Sequence, residues 1–162
     1  MKLLPEAISH SMALDDDIRA LSSVDLFEAF THDQLRLMAF GAERMALAKN
    51  RELYREGESA DCAYVVRSGK FVLFTQGPDG RRTIRTVGPG AILGELALIA
   101  ATKRLTGAAA ETDSEVIRLN RSLFHRILEE YPDLALALHE RIAAQLSELI
   151  SQIERLSNHF DA

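Results

Sequence analysis

"AYVVRSGKFVLFTQGPDGRRTIRTVGPGAILGE" occupies Ala63–Glu95, and its reading decides the architecture. Short runs rich in Val, Tyr, Phe and Leu are interrupted by "RSGK", "GPDG" and "GPG". β-Branched and aromatic side chains suit a pleated, half-buried surface, while clustered Gly and Pro turn the chain. Strands of this length, separated by turns at roughly 8–12 residues, predict an antiparallel sandwich or jelly roll. They do not predict strands alternating with crossover helices. The pattern reaches upstream to about Glu43 through "EGES". Downstream, "AAAETDSEVIRLN" adds one more strand carrying Val116, Ile117 and Leu119.

The flanks read as helices. "EAISHSMALDDDIRALSSV" spaces Ile8, Met12 and Ile18 helically around an acidic run, Asp15-Asp16-Asp17, which makes residues 1–23 an N-terminal helical arm. Thr31 is placed to cap a short helix carrying Leu35, Leu37 and Met38, with Gly41 ending it. After the strands, "RSLFHRILEEYPDL" turns helical, with Ser122 as the expected cap and Leu123, Ile127 and Leu128 facing inward. From Pro132 to about Ser157 no breaker intervenes. There Ile142, Leu146, Leu149, Ile153 and Leu156 recur at alternating steps of four and three, a heptad seam two heptads long. Such a seam packs on its own domain, on a second copy, or on both; pairing into a homodimer is the favoured expectation. The expected organisation is an arm at 1–23, a β-roll at 24–131 and a long C-terminal helix at 132–162.

Composition narrows the function. The chain has 162 residues, of which 47% are hydrophobic and 27% charged, enough for one well-cored domain. No apolar run is long enough to span a membrane, and the N-terminus lacks the apolar region of a signal peptide. The net charge of −5 and the dispersed basic residues speak against DNA binding. The trio Arg81, Arg82 and Arg85 beside "PDG" reads first as an exposed hairpin. A single cysteine, Cys62, excludes an internal disulfide and a cysteine metal cluster, and a reducing cytoplasm is the expected setting. Five scattered histidines have no metal spacing, and no nucleophile or acid–base pair is organised. No enzyme activity and no cofactor are expected.

One stretch carries chemistry. "ILGELALIAATKRLTG" (Ile92–Gly107) places a glycine-glutamate pair upstream of an arginine. Glutamate accepts from hydroxyls, and the planar fork of arginine suits a phosphate. Glycines let a ligand approach, so the segment could hold a sugar phosphate; it could equally be a turn with an ion pair between Glu95 and Arg104.

The order of signals resembles the cyclic nucleotide-binding domain family of catabolite-activator-type regulators, cyclic-nucleotide-dependent kinases and gated channels. The likeness rests on "REGE" ahead of "AYVVRSGKF", then "PG", then "GELALI", then an arginine nine residues after the glutamate, and it covers roughly Val24–Leu156. It implies a β-roll in which Gly94–Thr106 is a phosphate-binding cassette. On that likeness Glu95 would accept the ribose 2′-hydroxyl and Arg104 would pair with the cyclic phosphate. Gly94, Leu96 and Ala97 would give backbone amides or close approach. Leu73 and Ile84 would line the apolar side of the base, with Arg85 near the mouth and the C-terminal helix as lid. Gln145, Ser147 and Ser151 are the polar candidates for the base edge.

The motif also departs from the family. Lys103 stands where proline is common, and Leu105 where a small residue bears on base preference; Thr106 offers a hydroxyl one position later. The ligand implied is cAMP, with cGMP second. The expected protein is a stand-alone cytoplasmic sensor, or a piece of something longer, signalling through its helix and dimer surface to a downstream protein. The alternative is a scaffold of the same fold whose pocket is degenerate.

Overall fold

The computed structural model describes residues 5–161, with side chains for residues 13–157. Its strands are antiparallel, as the turn spacing predicts, and form the β-roll that the resemblance implies. One sheet runs in the order β1 (Glu43–Leu47), β10 (Ser114–Asn120), β4 (Cys62–Ser68) and β7 (Ile92–Leu93). The other runs β2 (Glu52–Tyr54), β9 (Gly107–Ala110), β5 (Phe71–Gly77) and β6 (Gly80–Val87). A short pair, β3 (Ser59–Ala60) with β8 (Thr102–Lys103), sits beside them.

The unbroken run "CAYVV" has a physical cause, because β4 is covered on both faces. Cys62, Tyr64 and Val66 point into the roll with Tyr54, Phe71 and Leu73, whereas Ala63 and Val65 join a second core beneath the helices. β10 divides in the same way, with Val116 inside and Ile117 and Leu119 towards the helices. A strand buried on both sides loses the apolar–polar alternation. At the edge of the other sheet, β6 carries the arginines. Arg81 is exposed, pairs with Glu52 at 2.7 Å and lies over the Phe74 ring at 4.1 Å. A charged edge of this kind discourages further strand pairing.

The arm is α1 (Pro5–Ser22), with Ile18 and Leu21 in the helical core. The side chains of Ile8 and Met12 lie outside the described residues. Its acidic run has a clear role, because Arg44 Nε meets Asp17 Oδ1 at 2.8 Å and Arg67 Nη2 meets Asp16 at 3.4 Å, docking the arm on β1 and β4. α2 (His32–Gly41) is held by a reciprocal cap: the Gln34 amide donates to Thr31 Oγ1, and the Thr31 amide donates to Gln34 Oε1 at 2.9 Å. Leu35 and Met38 are buried, and Leu37 is exposed.

Ser122 is not a cap. β10 runs straight into α3 (Arg121–Glu130), so Asn120 takes the capping position without a side-chain bond. The Arg121 amide donates instead to the Asp61 carbonyl at 2.9 Å. Phe124, Ile127 and Leu128 are buried and Leu123 half-buried. α4 (Pro132–Asp161) sends Leu134, Leu138 and Ile142 into the same core. Ile142 is fully enclosed by its own domain, so that position of the heptad seam cannot meet a second copy. Arg141 donates from Nη1 to the Asp25 carbonyl and from Nη2 to Glu28, tying α4 to the 3-10 turn Asp25–Phe27.

Candidate ligand-binding site

Past β7 the chain turns at Gly94, whose φ of 73° lies in the left-handed region. It then makes the 3-10 turn Glu95–Leu98, returns through β8 and delivers Arg104 to the inside of the roll. The "EGE" turn fixes this arginine from behind, because the Arg104 amide donates to the Glu58 carbonyl at 2.8 Å and the Gly57 amide donates to the Arg104 carbonyl at 2.8 Å. The two motifs therefore form one construction, although about 40 residues separate them in sequence.

The surroundings of Arg104 bear on the ion-pair reading. The residue is only 7% exposed. Its Nη2 donates to Cys62 Sγ at 3.4 Å, and its guanidinium carbon lies 4.4 Å from the Tyr54 ring centre and 5.6 Å from that of Tyr64. Nη1 is buried and has no hydrogen-bond partner, and among the described residues no carboxylate pairs with the guanidinium. A buried cation without a counter-anion is costly. A Cβ at position 94 would meet Nη1 and push the guanidinium aside, while the left-handed φ is what favours glycine here.

Glu95 does not neutralise the arginine. Burial raises its carboxyl above the ordinary range, against the smaller pull of its own backbone and of Arg85. Burial also pushes the Tyr54 phenol up to about 12, so the ring is a neutral platform beneath the cation.

These groups open onto a cleft with about 540 Å³ of empty space, solvent at its mouth included. Leu73, Arg85, Gly94, Glu95, Leu96, Arg104, Leu105 and Thr106 all lie on its wall, brought together from β5, β6 and the cassette. Ala97 and Ile84 do not. Ala97 is buried and its amide donates to the Gly94 carbonyl, while Ile84 packs half-buried against the inner core. Leu105 is 39% exposed at the rim. Of the polar helix candidates, Ser147 and Ser151 face solvent, and Gln145 lines an adjoining cavity with Asp25, Arg85, Glu95 and Glu148.

The wall also holds residues the motifs do not announce. Tyr54 and Ala60 are among them, and α4 contributes Leu146 and Leu149, two positions of the heptad seam. Their signal was present in the seam, but a period shows which face is apolar and not what covers it. Among the described residues there is no cluster able to hold a metal ion and no helix long and apolar enough to cross a membrane.

The profile of the family described as "Cyclic nucleotide-binding domain" matches residues 44–131. Among solved structures, a cyclic nucleotide-binding-like protein from Brucella abortus is 65% identical, with a TM-score of 0.65 over 70% of this chain and 98% of that one. The cAMP-dependent protein kinase regulatory subunit of Eremothecium gossypii is 34% identical over 103 residues, 64% of this chain. Human cyclic nucleotide-gated channel beta-3 is 26% identical over 136 residues, 82% of this chain. The chain spans 22% of the kinase subunit's length and 17% of the channel's.

Proposed function

The chain belongs to the cyclic nucleotide-binding domain family, and from that premise we propose that it binds a 3′,5′-cyclic purine nucleotide, cAMP foremost, as a cytoplasmic homodimeric sensor. The family is one of regulatory binding domains, generally without catalysis of their own. The observation that carries the proposal is the buried guanidinium of Arg104, with Nη1 unpartnered beside Gly94. A cyclic phosphate brings the single negative charge that such a fork complements. Glu95, on the same wall, would accept a ribose hydroxyl, and the base would lie towards Leu73 and α4. Binding would shift the population of α4 positions, because the helix supplies part of the wall.

Pairing of two copies would use the part of α4 beyond Ile142, where Leu146, Leu149, Ile153 and Leu156 are half-buried and Ile150 is 40% exposed. Sedimentation velocity on wild type and Ile150→Asp tests it; a wild-type monomer at micromolar concentration would sink the dimer.

The test of the ligand is titration calorimetry with cAMP and cGMP on ligand-free protein, beside Arg104→Ala. Saturable binding that the variant weakens tenfold or more, as expected for a lost charge-assisted pair, supports the proposal. No heat with either nucleotide leaves the scaffold with a closed pocket, for which Leu105 is the motivating residue.

A further inference from the structure

Cys62 opens β4, and its side chain is buried inside the roll with Tyr64 and Val66. Two arginines meet there. Arg104 donates from Nη2 to Sγ at 3.4 Å, and Arg118 on β10 interacts with the same thiol, as does Tyr64. The two cations are served differently. Arg118 lies 3.5 Å from Asp61 and 3.6 Å from Glu43. Among the described residues no carboxylate pairs with Arg104, and its Nη1 is buried without a partner. The main chain of Cys62 also faces the cassette, since a Cβ built at position 94 would stand 3.8 Å from the Cys62 carbonyl oxygen.

A thiol at this position does what neither an apolar side chain nor a carboxylate would do. It accepts weakly and brings no charge, so it can fix one end of a guanidinium fork without discharging it. An apolar side chain would leave a second buried N–H donor stranded. A carboxylate would complete a buried ion pair, which an incoming anion would have to break. Resting on the nucleotide proposal above, we infer that Cys62 is a positioning residue for Arg104: its sulfur holds Nη2 and leaves Nη1, with the undischarged cation, for the ligand's anion.

The test is calorimetric titration of the full ligand-free chain with cAMP, on wild type, Cys62→Ser, Cys62→Ala and Cys62→Asp, with Tm measured beside each. Cys62→Ser keeps an uncharged acceptor and is expected within about threefold of wild type. Cys62→Ala should weaken cAMP roughly 3–10-fold. The same substitution in an Arg104→Ala background should cost nothing further, because the group it positions is gone. Cys62→Asp should weaken binding about 100-fold or more by discharging the fork. Wild-type affinity in Cys62→Ala overturns the inference. So does an equal loss in both backgrounds, which marks packing alone. A gain of about tenfold in Cys62→Ser overturns it as well, because the sulfur would then have carried the counter-charge. Cys62→Asp at wild-type affinity removes the need for an uncharged acceptor; if that variant does not fold, the Ser and Ala arms decide.

Nitrogen-15 spectra of the ligand-free protein separate this inference from the nucleotide proposal. The guanidinium signals lost in Arg104→Ala identify Arg104. Distinct Nη signals are expected in wild type and Cys62→Ser, and they should merge in Cys62→Ala as the fork rotates. Distinct signals that merge in this way, in a protein binding neither cAMP nor cGMP, remove the nucleotide and keep the positioning role. Signals merged in wild type, or still distinct in Cys62→Ala, overturn the role whatever binds.

Discussion

The guanidinium carbon of Arg104 stands 4.4 Å from the centre of the Tyr54 ring, while Nη1 of the same side chain has no partner. The ring face holds the cation through its quadrupole without discharging it. The planar fork is kept in place and its charge kept available for an anion.

Arg104→Lys keeps the charge but loses the fork, so the nucleotide Kd is expected to rise by roughly 10–100-fold. Tyr54→Leu removes the platform and should raise it by roughly 3–10-fold. Calorimetry at fixed salt measures both, and wild-type affinity in Arg104→Lys would remove the fork from the account.

Gly94→Ala places a Cβ on a left-handed residue and against Arg104 Nη1. The backbone strain alone costs about 1–2 kcal/mol, and Tm should fall by roughly 2–8 °C in scanning calorimetry. The displaced guanidinium should weaken nucleotide binding beyond that stability loss. A variant as stable as wild type with unchanged affinity would show that the turn has an easy alternative.

Glu95 makes binding depend on pH with a definite sign. Its carboxyl lies above the ordinary 4.5 because it is buried. Arg85 faces it, and Asp25 and Glu148 face it across the adjoining cavity. On acidification Glu95 takes up its proton before ordinary carboxyls do. The charge-assisted acceptor for the hydroxyl becomes a weaker neutral one, so nucleotide affinity should fall in the range just above the ordinary value. Glu95→Gln should flatten that slope. Stability of the ligand-free protein moves the other way: the folded state binds this proton more tightly than the unfolded one, so its contribution improves as pH falls through the same window. Kd and Tm measured against pH separate the two trends.

The docking of α1 rests on Asp17, which is 8% exposed and lies between Arg44 at 2.8 Å and Arg67 at 3.6 Å. Asp17→Asn leaves two cations facing an amide. It should cost about 1–3 kcal/mol, read by urea denaturation, whereas Glu115→Gln on the outer side of Arg67 should cost under about 1 kcal/mol. Equal losses would show that Asp17 acts only as another surface partner.

Much of this fold is legible in local sequence because turns and caps are local. "GPDG" produces the β5–β6 hairpin, and Thr31 with Gln34 produces a reciprocal cap. The cassette is legible as a motif, but the environment of Arg104 is not. Tyr54 and Cys62 reach it from strands about 40–50 residues upstream, and nothing in their neighbourhoods says which way they face. The Ser122 expectation failed because a strand leading directly into a helix can satisfy an amide from elsewhere, here the Asp61 carbonyl. The heptad seam shows a more general limit. Leu146 and Leu149 have the spacing of a pairing face and also line the cleft, and a period marks an apolar face without saying what covers it.

Arg141 holds α4 to Asp25 and Glu28, and Asp25 also lines the cavity that Glu95 shares. A nucleotide whose entry displaces α4 would load that tether, and a protein that grips the Asp25–Glu28 turn would load it as well. The two events would then trade free energy through one helix. Whatever factor the nucleotide imposes on that protein's affinity, the protein would impose in return on the nucleotide's.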